Sequence, residues 1–161
     1  MTLDRRDLLT RGAAACLLSA IGAPLAAAAA AASAGKPLLD VAKDSSCGCC
    51  AAWADLARAA GYEVRVRDVE DIRAVKMAAG VPEALASCHT ARLEGYAIEG
   101  HVPFEAMDRL LAERPDVAGL AVPGMPVGSP GMGDDPAARF DVVAFGGAAG
   151  AGEVFHRAGE G

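Results

Sequence analysis

Three of the five cysteines fall within four residues, Cys47-Gly48-Cys49-Cys50, and a fourth stands next to a histidine in Ser87-Cys88-His89. Two spacings coexist in the first group. Cys47 and Cys50 form C-x-x-C, the geometry of a disulfide across a helix's first turn, where the dipole and the free N–H groups stabilise a thiolate. On a redox-active reading Cys47 is the nucleophile and Cys50 its resolving partner. Cys47 and Cys49 form C-x-C, a compact thiolate pair for a soft metal ion. Thiolates favour Cu(I), zinc or iron-sulfur centres over hard cations, and three sulfurs this close can bridge more than one copper ion. Purely structural disulfides are the plainest alternative, yet closing a four-residue loop constrains little of the unfolded chain. Zinc ranks below copper, because a zinc knuckle wants two separated pairs and the second site here is Cys88-His89.

Other soft or borderline donors lie further along. His101 follows Gly100 and precedes Val102-Pro103, a loop ligand position. His89 alternates to the opposite side of its strand from Cys88 and reads as a hydrogen-bonding partner. Met125 and Met132 sit in Pro123-Gly124-Met125-Pro126-Val127-Gly128-Ser129-Pro130-Gly131-Met132, where no amphipathic face explains them. Thioether sulfur is a ligand for Cu(I), so this segment is a candidate lid. Met77 and Met107 fall on apolar helix faces and read as core, and His156 reads as surface.

The elements that must position these groups follow from periodicity. Leu38–Lys43 is a short strand ahead of the cysteine loop, and Trp53, Leu56, Ala57 and Ala60 recur at helical spacing up to Gly61. Tyr62–Arg67 alternates as a strand, Asp68 reads as an N-cap, and a helix carrying Ile72, Val75, Lys76 and Met77 runs to Gly80. One more turn is expected over Pro82–Leu85. Cys88–Leu93 and Tyr96–Glu99 flank Glu94-Gly95 as a hairpin, and Pro103–Glu113 forms a third helix closed by Pro115. The order βαβαββα predicts an α/β, thioredoxin-like domain in which Cys88 lies beside the first βα loop. A thioredoxin usually has a proline just before that strand, and Ala86-Ser87-Cys88 has none, which favours metal binding over disulfide exchange. From about residue 115 a Gly/Pro/Met-rich extension follows, ending in a hairpin of Phe140–Phe145 and Glu153–His156.

Residues 1–34 read as an export signal of the twin-arginine type. Arg5-Arg6 precedes Leu8-Leu9, an Ala-rich run follows, and Ala32-Ser33-Ala34 offers a small-residue cleavage site. Cys16 would leave with it. Removing 34 of the 161 residues leaves 127, enough for one domain, residues 35–161, expected in the periplasm without a stable membrane anchor. That part carries 12 basic residues (15 less Arg5, Arg6 and Arg11) against 19 acidic (21 less Asp4 and Asp7), a net of −7. Such a balance, with 4% aromatics, excludes nucleic acid as a partner, because phosphate binding runs on Lys and Arg. With no long apolar patch in the sequence, a monomer is expected.

Ser45–Cys50, Ala86–Ala91, Tyr96–Pro103, Gly119–Pro126 and Ser129–Met132 together resemble the CopG-type family of periplasmic C-x-C-C proteins, long filed as a domain of unknown function. The resemblance spans roughly Leu38 to His156. It implies a thioredoxin-like domain with a C-terminal extension and a copper site in copper resistance, with Cu(I) and Cu(II) interconverted as a copper oxidoreductase would. It implies Cys47, Cys49, Cys50 and Cys88 as sulfur ligands, with His101, Met125 and Met132 as weaker ones. Copper ions and periplasmic copper efflux or chaperone proteins would be its partners.

Overall fold

A computed structural model describes residues 35–159. The expected export signal and Cys16 lie outside the described residues. Seven strands form one mixed sheet in the order β2-β1-β3-β4-β5-β6-β7. The elements run β1 (Lys36–Lys43), α1 (Gly48–Ala59), β2 (Tyr62–Asp68), α2 (Ile72–Ala78), a 3-10 turn (Glu83–Leu85), β3 (His89–Leu93), β4 (Tyr96–Glu99) and α3 (Phe104–Glu113). β5 (Gly119–Ala121), β6 (Phe140–Phe145), a 3-10 turn (Gly147–Ala149) and β7 (Glu153–Ala158) complete the chain. The βαβαββα order up to Glu113 and the terminal hairpin are as expected.

Strand pairing brings one end of the sheet together. β1 pairs parallel with β2 and antiparallel with β3, β3 pairs antiparallel with β4, and β4 pairs parallel with β5. The ends of β1, β4 and β5 and the start of β3 therefore share one edge, where residues 44–50, 87–88, 100–101 and 122–132 emerge.

The two faces are covered differently. Leu39, Val41, Ala91, Leu93 and Ile98 project with Trp53 of α1 and Met107 and Leu110 of α3 into the main core. Each fully buried Leu, Ile, Val or Met among them contributes about 1.5–3 kcal/mol. Ala97, Ala121 and Phe145 point to the other face and pack with Ala79, Val81 and Leu85 around α2. Among the described residues, no helix is long and apolar enough to cross a membrane.

Local chemistry explains the boundaries and three departures from expectation. Gly61, at φ 94°, turns the chain out of α1, and Arg114, left-handed at φ 48°, ends α3 before Pro115. Asp71, not Asp68, caps α2, its carboxylate accepting from the Ala74 N–H at 2.9 Å. Asp68 stays in β2 and pairs with Lys43 at 3.0 Å. Met77 is 71% exposed rather than core, because the inward stripe of α2 is Ile72, Val75, Lys76 and Ala79 and Met77 lies about 100° round the helix from Lys76. Met107 is buried as expected. β5 is a strand the sequence pattern does not announce.

Candidate metal centre

The loop between β1 and α1 is built to present its sulfurs. Lys43 donates to the Asp44 carbonyl at 3.0 Å and to that of Ser45 at 3.4 Å. The Asp44 carboxylate accepts from the Ser46 N–H at 2.8 Å and from its hydroxyl, contacts that hold Asp44 below its usual pKa. The Cys47 N–H donates to the Asp44 carbonyl at 3.0 Å. Cys47 is the N-cap of α1 without a side-chain cap bond, so the helix's free N–H groups and positive end face the cysteine cluster.

Four sulfurs converge there. The ligand atoms of Cys47, Cys49, Cys50 and Cys88 all lie within 4.8 Å of one another. Cys47 and Cys50 are joined as a disulfide with their Cα atoms 5.4 Å apart, and Cys49 and Cys88 are free thiols. The Cys49 sulfur is 3.6 Å from that of Cys47. Burial pushes the Cys88 thiol up to about 11, with the Cys49 sulfur beside it acting in the same direction.

A second group shares Cys88. The ligand atoms of Cys88, His89 and His101 also lie within 4.8 Å of one another. Nε2 of His101 is 3.0 Å from the Cys88 sulfur, and its Nδ1 is 2.7 Å from the Pro130 carbonyl. A carbonyl only accepts, so Nδ1 carries the proton and the Nε2 lone pair faces the sulfur, as in metal-binding histidines whose other nitrogen donates to a carbonyl. Burial lowers the His101 pKa, partly offset by the Pro130 contact. Sequence alternation makes His89 a hydrogen-bonding partner on the opposite side of its strand from Cys88; its Nδ1 does lie within hydrogen-bonding reach of a partner, but that partner is the Cys88 sulfur itself, at 3.3 Å. Its ring packs on Trp53 at 4.5 Å and on His101 at 5.2 Å. His89 is pushed down to about 3 by burial, then by His101 and Lys76, and its buried Nε2 has no hydrogen-bond partner among the described residues. Soft thiolates with neutral imidazoles form a donor set suited to copper or zinc rather than to a hard cation.

The methionine segment closes over this corner by backbone contacts. Besides the Pro130 carbonyl on His101, the Gly124 carbonyl accepts a short bond from the Ser87 hydroxyl. Gly131, at φ +85°, sits so close to α1 that a Cβ there would lie 2.9 Å from the Trp53 nitrogen and 3.1 Å from the Cys49 carbonyl. Met132, the next residue, is half-buried, whereas Met125 is 53% exposed. His156, expected at the surface, is half-buried on β7, 3.7 Å from Glu105.

Sequence reasoning missed the support beneath Cys88. Glu99, at the end of β4 on the α2 face, is fully buried. Its carboxylate accepts from Lys76 Nζ at 2.5 Å, from the Ser87 N–H at 2.5 Å and from the Thr90 hydroxyl at 2.7 Å. One carboxylate thus pins the residue before Cys88, and Ser87 in turn pins the loop at Gly124. Gly100 leaves room for this: a Cβ there would lie 2.5 Å from the Ser87 hydroxyl oxygen.

Comparison with known proteins gives this corner a lineage. Two solved structures of "Copper resistance protein copG", Form 1 and Form 2, are 40% and 41% identical to the chain, each with a TM-score of 0.69. They cover 76% and 74% of this chain, and the matches span 97% and 96% of theirs. The chain belongs to the CopG copper-resistance family. A family profile described as "Protein of unknown function, DUF411" matches residues 85–132, the stretch that in this CopG-family chain carries Cys88, His89, Glu99, His101 and both loop methionines. No curated protein matches the chain.

Proposed function

We propose that the chain is an exported copper-binding protein of copper resistance, its cargo held by Cys47, Cys49, Cys50 and Cys88 with His101 and the Met125–Met132 segment at the rim. The convergence of four sulfurs within 4.8 Å carries this reading, and the likeness to solved copper resistance proteins supports copper over zinc. On the same reading residues 36–113 are a thioredoxin-like core, and the remainder is an extension that covers the metal. The Arg5-Arg6 leader supports twin-arginine export to the periplasm, where efflux or chaperone proteins would exchange copper with a monomer. Cysteine sulfurs favour Cu(I) and imidazole also serves Cu(II), so a mixed site can visit both states as a copper oxidoreductase would. Anaerobic Cu(I) titration of the reduced full chain, beside Cys49→Ser and Cys88→Ser, tests the assignment. Tight binding of more than one ion, weakened by both substitutions, is expected. Affinity equal to that of the variants would remove the cysteine centre.

A second reading has its own observation. Cys47 and Cys50 form a disulfide at the start of a twelve-residue helix, the arrangement of a thiol–disulfide oxidoreductase. Reduction of insulin by the metal-free dithiol would support it, and absence of turnover would leave the copper reading alone.

A further inference from the structure

The four sulfurs do not form an equivalent set. Cys47, at the N-cap of α1, and Cys50, one turn on, are closed into a disulfide at a Cα separation of 5.4 Å, inside the range such bonds need. Cys49 lies between them in sequence and remains a free thiol, as does Cys88. Closure of the first pair therefore leaves a soft-donor seat standing: the sulfurs of Cys49 and Cys88 stay in one cluster, and His101 Nε2 stays 3.0 Å from the Cys88 sulfur.

We propose that the Cys47–Cys50 dithiol is a two-electron store for Cu(II), closing to its disulfide as it reduces two ions, while Cys49, Cys88 and His101 keep the Cu(I) formed. The inference rests on the copper reading above and adds the source of the electrons. In the step the Cys47 and Cys50 thiols lose their S–H bonds and release two protons to water. Each sulfur gives up one electron, one S–S bond forms, and two Cu(II) become two Cu(I). No other oxidant or reductant enters, and each reduced chain performs the step once.

The division of labour follows from the ligands. Oxidation removes two of the four sulfurs as thiolate donors but leaves two thiols and an imidazole, a low-coordinate soft set that suits Cu(I). A site whose every sulfur were consumed would release its product. Here His101, with Nδ1 fixed on the Pro130 carbonyl, stays aimed at the cluster in the disulfide form.

The test uses the full chain carrying Cys16→Ser, fully reduced and freed of reductant without oxygen, then given two equivalents of copper(II) sulfate. The Cu(II) electron paramagnetic resonance signal is followed, and the chain is acid-quenched, alkylated and peptide-mapped. The signal of both ions should vanish, with Cys47 linked to Cys50 and with Cys49 and Cys88 alkylated. Cys47→Ser/Cys50→Ser should slow the signal's loss at least about tenfold, and Cys49→Ser should still close the disulfide. A persistent signal in the parent chain, equal loss in the double variant, or oxidation mapped to Cys49 or Cys88 would overturn the proposal. Cu(I) titration of the same preparations separates the two readings. Chains that bind Cu(I) but leave Cu(II) unreduced refute the electron store alone, whereas chains that bind no Cu(I) refute the copper reading and the retained product with it.

Discussion

Replacing Glu99 by glutamine keeps the shape of the side chain and removes the charge on which three donors converge. The native carboxylate is fully buried and receives Lys76, the Ser87 N–H and the Thr90 hydroxyl within 2.7 Å. An amide offers only one accepting oxygen, and its NH2 would have to face a donor. Lys76, 8% exposed, loses its acidic partner. Removing one member of a buried pair costs about 3–5 kcal/mol, and the remaining access of Lys76 to water points to the lower end, about 3 kcal/mol. For a domain of this size that lowers Tm by about 10–15 °C. Lys76→Met/Glu99→Gln removes both charges together and should recover all but about 1 kcal/mol. Because Glu99 also pins Ser87, Glu99→Gln should speed alkylation of Cys88 in the folded, metal-free protein. Thermal and urea unfolding with timed alkylation would check all three outcomes. If Glu99→Gln stayed within about 0.5 kcal/mol of the parent and Cys88 reacted no faster, the claim that this carboxylate holds the cysteine would be refuted.

His89→Phe should stabilise the metal-free protein by about 1 kcal/mol, since it removes an unpartnered buried nitrogen while keeping an aromatic ring against Trp53. The same variant should bind Cu(I) more weakly if His89 serves the metal, and parallel urea and Cu(I) titrations report both. Folded His89 protonates only near pH 3, whereas the unfolded residue does so near 6.5. Its neutral form therefore favours folding above about pH 6.5, and that contribution is lost as pH falls. Between pH 7 and 4.5 the loss is about 2–3 kcal/mol, read as the difference in urea stability between the parent and His89→Phe. Gly131→Ala places a Cβ on the first turn of α1 at a left-handed φ, and should cost about 2–3 kcal/mol by urea midpoint. With Cys88 held up to about 11, its reaction with iodoacetamide in the metal-free protein should rise about tenfold per pH unit from 8 to 10; a plateau by pH 9 would contradict the burial argument.

What could be read from the sequence is what depends on neighbours along the chain. The C-x-C-C loop, the helix after it and the Glu94-Gly95 hairpin each follow from a period or a turn within about ten residues. β5 did not, because Gly119-Leu120-Ala121 has no alternation of its own. It is a strand only because β4 and β6 flank it, so closely that Gly119 has no room for a side chain against the Ala97 carbonyl. The misplacement of Met77 has the same origin. An apolar-inward rule buries the methionine, but the residue that α2 turns inward is Lys76, because Glu99 waits across the interface.

The alternation argument put His89 on the wrong side of Cys88 for a narrower reason, although the hydrogen-bonding role it gave the ring stands. It holds within a strand, yet β3 begins at His89 and Cys88 precedes it, so the pleat that separates successive side chains does not yet govern this pair. Both errors point to one usable signal. Lys76 interrupts the inward stripe of a helix, Glu99 ends an otherwise apolar strand, and the two interruptions have opposite sign. Charges of that kind are rarely buried unless paired, so the pattern itself argues for their pairing in space. Since Glu99 lies two residues before His101 and faces Thr90 across the hairpin, that pair had to lie beneath Cys88.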